Sequence, residues 1–388
     1  YVLYCSNNKY MTREEKAIHG ILYADGPYES LPVYYLSREW EFYPDVLLTP
    51  GDDLEKYYFQ YLSIGEYGGM ELDNKKGNPY GSGTYRLQIM LPLEEHTYGL
   101  YLPEIYSAYN LYVNGELLEQ VGNPDPEHYE EQVQNRMFTF KGNTSVEIMI
   151  AVTDKASASP GIQYVPAFGN PLKVNTIRGI PVFLNSAVFT LVLLALIFSV
   201  WTFFRTRSQA NALFAAVCIC VLGYTCYPLL HTYVALQVQP WFSLEMLFYF
   251  LTFPAMLLLE YEVTGKKHKW ILWITGAAAA AGVGVTIAGI FAGGMETAAL
   301  SYGVSGITKL LKWFTAVCLV VIAFIYGEGI RGLLLLVGTV IYASSLAADR
   351  IWTLYDPIIG GWFPEWGGTI LAGVFGIVLW RELTDGYR

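Results

Sequence analysis

Charged side chains stand inside long apolar stretches of this chain, where they could form an ion pair. Glu245, Asp349 and Arg350 fall within such stretches, and Lys309 and Lys312 lie at the start of another. Charge within a membrane span is costly and usually faces a partner or a cavity. Asp349 and Arg350 point about 100° apart on a helix, so each needs a partner elsewhere. We predict a membrane latch built from Glu245, Asp349, Arg350 and Lys309, with a static bridge or a headgroup contact as the alternative.

A second set of candidates combines flat aromatic rings with polar side chains, the combination that binds sugars. Sugars stack their apolar C–H faces on rings and present hydroxyls to polar neighbours. Tyr106 and Tyr112 alternate out of phase with Leu111 and Val113, which predicts that the two tyrosines face outward. The alternative is that these rings only tile the surface of the domain. The predicted ligand-binding residues are Tyr106, Tyr112, Arg86, Glu104, Asn110 and Tyr164.

Other chemistry finds little support in the sequence. His19, His96 and His128 lack the Cys, His or Asp spacing of zinc sites, and no dense run of oxygen ligands indicates calcium. His231 could sense pH or simply be a polar residue at an interface. No glycine-rich phosphate loop and no nucleophile cluster is evident. We therefore expect no metal, no cofactor and no catalytic residues, so that this chain is not itself an enzyme.

Seven long apolar runs occupy the chain from Ile177 onward. A helix needs roughly 20 apolar residues to cross a hydrocarbon layer about 30 Å thick. The spans are expected to be helices because lipid cannot form hydrogen bonds with exposed backbone N–H and C=O groups. The predicted spans are 179–204, 210–231, 241–262, 270–293, 307–326, 332–354 and 365–383.

Positive charge between the spans is distributed unevenly. Arg205 and Arg207 follow the first run, three lysines follow the third, Arg331 follows the fifth, and Arg381 ends the last. Lys and Arg are absent from connectors 232–240, 294–306 and 355–364. Positive residues in short loops stay in the cytoplasm. We therefore expect the N-terminal region to be extracytoplasmic and the C-terminus cytoplasmic.

The N-terminal region is acidic and poor in cysteine. Residues 1–178 hold 13 Lys and Arg against 24 Asp and Glu, a net charge of −11, whereas the remainder has a net charge of +1. This charge argues against nucleic acid or anionic lipid as a partner. Only Cys5 lies outside the predicted spans, so a disulfide framework is excluded. Export would need a signal that was cleaved or that lies in a missing segment.

The same region has the alternating pattern of short strands. Leu87 and Ile89 alternate with polar residues, and Trp40 and Tyr85 are in phase with aliphatic residues, which places them in a core. Asn114-Gly115 is typical of a tight hairpin. The sequence therefore predicts an all-β jelly-roll sandwich at 1–172, a short stiff linker at 173–180 and an all-α seven-helix transmembrane bundle at 181–388.

The order of several motifs resembles one family. They are Leu36-Ser37-Arg38-Glu39-Trp40, Gly83-Thr84-Tyr85-Arg86-Leu87, Leu102-Pro103-Glu104-Ile105-Tyr106 and Tyr112-Val113-Asn114-Gly115. Followed by seven spans, they resemble the bacterial seven-transmembrane receptors with diverse intracellular signalling modules, whose extracellular domain is galactose-binding-like. Gly-Thr-Tyr-Arg and Val-Asn-Gly also occur in accessory sandwiches of glycosidases.

The resemblance implies a sensory receptor. The protein would lie in the bacterial inner membrane, where its sandwich would bind a small ligand such as a carbohydrate and its bundle would pass the signal to a cytoplasmic module or a partner protein. The family's usual output is a histidine kinase or a diguanylate cyclase, which we expect to lie outside a chain that stops at Arg388. The resemblance leaves open whether the protein forms a homodimer. The alternatives are a structural or accessory subunit of an envelope assembly, and a transporter with an accessory sugar-binding domain.

Overall fold

The computed structural model describes residues 9–10, 12, 14–65, 70, 81–155, 161–265, 268–292, 298–352 and 363–386. They form a β-sandwich followed by seven long helices, which confirms the predicted fold class. The strands are β1 (Ile21–Tyr23), β2 (Tyr34–Tyr35), β3 (Trp40–Pro44), β4 (Gln60–Leu62), β5 (Gly81–Met90), β6 (His96–Leu102), β7 (Ala108–Val113), β8 (Glu116–Val121), β9 (Gln132–Val133), β10 (Arg136–Gly142), β11 (Ser145–Asp154), β12 (Ala167–Gly169) and β13 (Leu236–Gln237).

Two mostly antiparallel sheets make the sandwich. The larger has the strand order β4-β3-β5-β11-β7-β8, with β1 added in parallel to the end of β5. The smaller has the order β10-β6-β12-β2. Both sheets contribute to one apolar core, which contains Tyr85 and Ile150 from the larger sheet and Tyr98 and Phe168 from the smaller. The burial of one face of each sheet explains the alternating pattern in the sequence.

The predicted alternation holds along β5. Tyr85, Leu87 and Ile89 are fully buried, whereas Arg86 and Gln88 point to the opposite face. Trp40 is also in the core, where its Nε1 donates a 2.8 Å hydrogen bond to the carbonyl oxygen of Leu36. A buried indole needs such an acceptor, because an unpaired N–H in an apolar core is destabilising.

The predicted Asn114-Gly115 turn joins β7 to β8. Both residues have positive φ, 51° for Asn114 and 83° for Gly115. A two-residue hairpin needs this geometry at both positions, and Asn and Gly adopt it at the least steric penalty. The hairpin prediction is therefore confirmed, and its cause is backbone conformation.

Seven helices follow the sandwich in the described residues. Each contains a stretch long and apolar enough to cross a membrane. The predicted spans agree with them to within a few residues at most ends. They are α1 (Pro171–Thr206), α2 (Gln209–Leu230), α3 (Trp241–Thr264), α4 (Lys269–Ala292), α5 (Ala298–Tyr326), α6 (Gly329–Trp352) and α7 (Phe363–Gly386).

The first helix begins earlier than the sequence suggested. The Asn170 side chain accepts a 3.0 Å hydrogen bond from the Leu172 N–H, and Pro171 occupies the first turn, where its missing N–H is harmless. Residues 173–180, which we predicted to form a separate linker, are therefore helical. At 36 residues α1 is about 54 Å long, well beyond a hydrocarbon layer of about 30 Å.

The extra turns of α1 are held by the sandwich. Val174 is fully buried in the sandwich core. The Lys173 ammonium donates to the carbonyl oxygens of Leu31, at 2.6 Å, and Glu29, at 3.2 Å. The sandwich and the first helix are thus joined without a flexible segment between them.

Within the bundle α3 packs against α2, α4 and α5, and α7 packs against α6 and α2. Glycine allows two of these close contacts. A Cβ on Gly223 of α2 would lie 2.2 Å from the ring of Phe248 on α3, and a Cβ on Gly367 of α7 would lie 2.1 Å from the Ser345 hydroxyl oxygen on α6. Small residues at such positions let helices approach in lipid, where burial of apolar surface does not drive association.

Candidate functional site

The sandwich and the bundle meet through a backbone ladder. Strand β13 lies in the connection between α2 and α3 and pairs antiparallel with β9 of the sandwich, Leu236 opposite Val133 and Gln237 opposite Gln132. The Asn135 N–H adds a 3.0 Å hydrogen bond to the carbonyl oxygen of His231. We call this contact region the junction. Main-chain bonds fix its register, so the sandwich and the α2–α3 connection are held in one relative position.

Arg178 of α1 ties a third element into the junction. Its Nη2 donates to the carbonyl oxygen of Thr232 at 3.1 Å and to that of Asn135 at 3.5 Å. One guanidinium therefore bonds the sandwich and the α2–α3 connection from the first helix. Its several donors in one rigid plane suit such a bridge.

Below the ladder, side chains from both parts form an apolar cluster. The ring of Tyr106, from the loop between β6 and β7, lies 5.7 Å from the ring of Phe242 on α3 in an edge-to-face arrangement. Such pairs contribute about 0.5–1.5 kcal/mol beyond the area that they bury. The other members are Val133, Tyr227, Leu236 and Val238.

His231 is fully buried at the edge of this cluster. Its Nε2 lies 4.0 Å from Oε1 of Glu104, and its ring lies 5.1 Å from the ring of Tyr227. Burial lowers the pKa of His231 to about 4, so the imidazole is neutral at pH 7 in spite of the nearby carboxylate. The pair is therefore not an ion pair at neutral pH.

Two further titratable groups belong to the sandwich side of the junction. The Tyr106 hydroxyl donates a 3.3 Å hydrogen bond to Oε2 of Glu104, and burial, followed by the charge of Glu104, raises the pKa of Tyr106 well above its usual value. Burial raises the pKa of Glu131 to about 7, with a further contribution from Asp154. The N–H of Gln239, from the α2–α3 connection, also interacts with Glu131. The junction therefore contains groups that can change charge between pH 4 and pH 7.

The structure divides the predicted ligand-binding residues into two groups. Tyr106 and Glu104 lie in the junction, and Tyr164 is close enough to act electrostatically on Tyr106. Tyr106 does not face solvent as predicted, because the bundle buries it to 8 % exposure. The alternation predicted from β7 does not reach Tyr106, which lies in the loop before that strand, and a sequence pattern cannot tell that the bundle covers this loop.

Arg86, Asn110 and Tyr112 lie on the outward face of the larger sheet. Oε2 of Glu41 accepts a 2.7 Å bond from Nη1 of Arg86, and Oε1 of Glu147 accepts a 2.5 Å bond from its Nε. These pairs engage the guanidinium within the sheet, on both sides of β5.

Tyr112 faces away from the core, as predicted, but is half-buried. It packs beside Tyr43, Leu48 and Met149, because the segment after β3 folds over this face. The Nδ2 of Asn110 lies 3.4 Å from the Tyr112 hydroxyl oxygen. A role of this face in ligand binding stays a prediction.

The structure gives other charged neighbours to Glu245 and Asp349 than those of the predicted membrane latch. The charged groups that act on Glu245 are Glu104 and Glu365, and within the described residues Arg350 and Lys309 are not among them. Both of those basic residues are exposed. Lys312 lies instead near Asp349 and Glu365, with its ammonium 5.3 Å from the centre of the Tyr249 ring. Helix rotation, which the apolar runs do not define, decides which of these groups face inward.

Sequence reasoning missed an exposed aromatic patch at the edge of the larger sheet. Tyr58 is 70 % exposed and Tyr61 is 42 % exposed. The Phe59 ring lies 5.6 Å from that of Tyr61, which in turn lies 5.2 Å from the ring of His19. The aromatic patch consists of His19, Tyr57, Tyr58, Phe59 and Tyr61. The sequence signal was the run Tyr57-Tyr58-Phe59, where no aliphatic residue alternates with the rings.

Metal ligands are not clustered in the described part of the chain. No group of three or more His, Cys, Asp or Glu side chains there is arranged to hold a metal ion. Cys218, Cys220, Cys226 and Cys318 are free thiols in the helices.

Comparisons with known proteins give no family. No family model matches the chain, and no curated protein matches it. Among solved structures, a GH2 β-galacturonidase from Eisenbergiella tayi bound to galacturonate matches with a TM-score of 0.24 and 11 % identity, over 36 % of this chain and 24 % of that one. A β-glucuronidase from Faecalibacterium prausnitzii matches with a TM-score of 0.25 and 13 % identity, over 35 % of this chain and 23 % of that one.

The chain spans about a quarter of the length of these two glycosidases. At this distance the likeness assigns neither activity nor ligand. The fold and the junction define the chain as a multi-pass membrane protein that carries a β-sandwich docked on one end of a seven-helix bundle.

Proposed function

We propose that this protein is a bacterial sensory receptor, not an enzyme. Its sandwich would lie outside the inner membrane and its bundle would pass ligand binding to a cytoplasmic signalling module or partner protein. The uneven distribution of Lys and Arg between the helices supports this orientation. The motif order that resembles the seven-transmembrane receptor family supports the same function.

The observation that carries the proposal is the rigid junction. A sandwich used only as a tether would need one covalent connection to the bundle. Here Val174 in the first turns of α1 is buried in the sandwich core, β9 pairs with β13, and Arg178 bonds both parts. Displacement of the sandwich must therefore either break these bonds or move the ends of α1, α2 and α3.

Ligand binding could use this connection through a shift between two arrangements of the bundle. A ligand shifts such an equilibrium only by its difference in affinity for the two states, and each 1.4 kcal/mol of that difference changes the ratio about tenfold. The junction lies where a small rotation of the sandwich would reach three helices together.

The ligand class that we propose is a small neutral carbohydrate bound by the sandwich. The aromatic patch offers exposed rings for stacking, with Tyr58 the most exposed of them. The acidic character of residues 1–178 disfavours an anionic sugar. Arg86, Asn110 and Tyr112 form an alternative surface on the same sheet.

The test uses the full chain in lipid nanodiscs. Spin labels are placed on the exposed residues Arg205 of α1 and Arg381 of α7, as Arg205→Cys and Arg381→Cys in a cysteine-free background. Neutral monosaccharides and short oligosaccharides are first screened for binding by a rise in melting temperature. We expect a bound sugar to change the distance between the labels, which lie at the end of the bundle away from the sandwich.

Three variants separate binding from transmission. Tyr58→Ala should remove binding, whereas Leu93→Ala, at another exposed apolar position, should retain it. Phe242→Ala should retain binding and reduce the distance change. Binding with an unchanged label distance would contradict the receptor, and sugar flux into sealed vesicles would favour a transporter. Failure of every sugar to bind would contradict the ligand class.

A further inference from the structure

A small cavity lies within the sandwich end of the bundle, between α1, α2, α3 and α7. It has a volume of about 100 Å³, which is room for several water molecules. Its position beneath the junction separates it from the aromatic patch and from the outward face of the larger sheet.

Two carboxyl groups from different helices line the cavity. Glu245 belongs to α3 and Glu365 to α7, and Glu365 is near enough to act electrostatically on Glu245. The Glu245 carboxyl group is buried, and its Oε2 has no hydrogen-bond partner among the described residues. A buried carboxylate oxygen without a partner is strongly destabilising, so this atom calls for a bound proton or a bound cation.

A lysine next to Glu365 does not fill this role. Lys312 lies over the Tyr249 ring and interacts with Asp349 as well as Glu365. It is not among the groups that act on Glu245, whose charged neighbours are Glu104 and Glu365.

The rest of the lining favours an organic ion over a hydrated metal ion. Leu184, Val188 and Pro228 present apolar surface, and Tyr224 and Trp366 present rings. Aromatic rings attract ammonium groups through cation–π interaction, most strongly when water is excluded. A metal ion would need several oxygen ligands in place of this apolar surface.

From this arrangement we propose that the cavity binds a small organic ammonium ion, with its charged group between Glu245 and Glu365 and its carbon chain against Trp366 and Tyr224. The site is separate from the sugar site of the proposed receptor. It would exist whether or not the sandwich transmits a signal. Its place beneath Glu104 puts the bound ion within electrostatic reach of the junction.

The experiment measures binding of n-butylammonium to the full chain in nanodiscs at constant ionic strength. Isothermal titration should give saturable binding with a dissociation constant below about 1 mM. n-Butanol has a similar size but no charge, and it should not bind in the same range. Sodium, potassium and magnesium chlorides, titrated separately, test for an inorganic ion.

Matched variants locate the site. Glu245→Gln and Glu365→Gln should each weaken n-butylammonium binding about 10- to 100-fold, because each removes a charged hydrogen-bond acceptor. Glu262→Gln lies at the other end of the same helix as Glu245 and should leave binding unchanged. Trp366→Leu should weaken n-butylammonium more than it weakens any inorganic cation.

Several results would overturn the proposal. Equal binding of n-butanol and n-butylammonium to the unaltered protein would show that Glu245 is simply protonated in an apolar cavity. Binding of inorganic cations alone would exclude the organic ligand. Unchanged affinity in both glutamine variants would place any binding elsewhere. The comparison of ligands on the unaltered protein remains decisive if a glutamine variant does not fold.

Discussion

Tyr106 and Phe242 provide the most direct energetic test of the junction. Tyr106 is 8 % exposed, so Tyr106→Ala would leave a cavity between the sandwich and α3 and should destabilise the junction by about 3–4 kcal/mol. Phe242 is only half-buried, and Phe242→Ala should destabilise it by about 2 kcal/mol. Because the rings touch edge to face, the double variant should lose about 1 kcal/mol less than the sum of the two single losses.

The assay is hydrogen exchange of the backbone amides in β9 and β13, measured on the full chain in nanodiscs. Exchange there reports opening of the junction, and its free energy can be compared between the variants. Tyr112→Ala, on the outward face of the larger sheet, is the matched control and should be additive with Phe242→Ala. Additivity of Tyr106→Ala and Phe242→Ala to within about 0.3 kcal/mol would refute the coupling.

Three further predictions concern pH and backbone strain. His231 has its pKa lowered from 6.5 to about 4 and binds fewer protons when folded, so its contribution to stability is lost as the pH falls from about 6.5 to about 4. Glu131 has its pKa raised from 4.5 to about 7, so its contribution is present below pH 4.5 and lost as the pH rises to about 7. Between about pH 4.5 and 6.5 the two groups change stability in opposite directions. In thermal melting, Glu131→Gln, which keeps His231, should become more stable as the pH rises, and His231→Asn, which keeps Glu131, should become less stable. Parallel pH profiles of the two variants would contradict both assignments. Gly122→Ala should destabilise by more than about 2 kcal/mol in thermal melting, since φ is +66° and a Cβ would lie 2.2 Å from the Glu130 carbonyl oxygen. Gly51→Ala, where φ is also positive but the space around the residue is open, should lower the melting temperature less. Equal destabilisation by the two variants would exclude the clash at Gly122.

Local patterns predicted most of the fold. Leu87 and Ile89 alternate with polar residues because one face of β5 is buried, and that cause acts within a few residues. Asn114-Gly115 predicted its turn because the positive φ that the turn requires is also a local property of these two residues. The apolar runs predicted the helices because the length of a span follows from the thickness of the bilayer. The start of α1 was misplaced because the Asn170 cap was not recognised.

The junction could not be predicted, since its causes are distant in sequence. Strands β9 and β13 have two residues each, too few to show periodicity. Their pairing depends on the α2–α3 connection reaching the sandwich. Tyr106 was predicted to face solvent, and this was wrong because Phe242 of the bundle, distant in sequence, covers its ring. Glu104 acts electrostatically on Glu245 although the two residues were predicted to belong to separate sites, again because they are distant in sequence.

The central claim is that the sandwich is held against the bundle through β9 and β13 in the membrane. Disulfide cross-linking of Val133→Cys with Leu236→Cys tests it most directly, because these residues are directly opposite in the ladder. In native membranes we predict rapid cross-linking on mild oxidation, seen as a mobility shift that reductant reverses. Each single cysteine variant should show no shift. Failure of the double variant to cross-link, while the protein remains folded and inserted, would contradict the account.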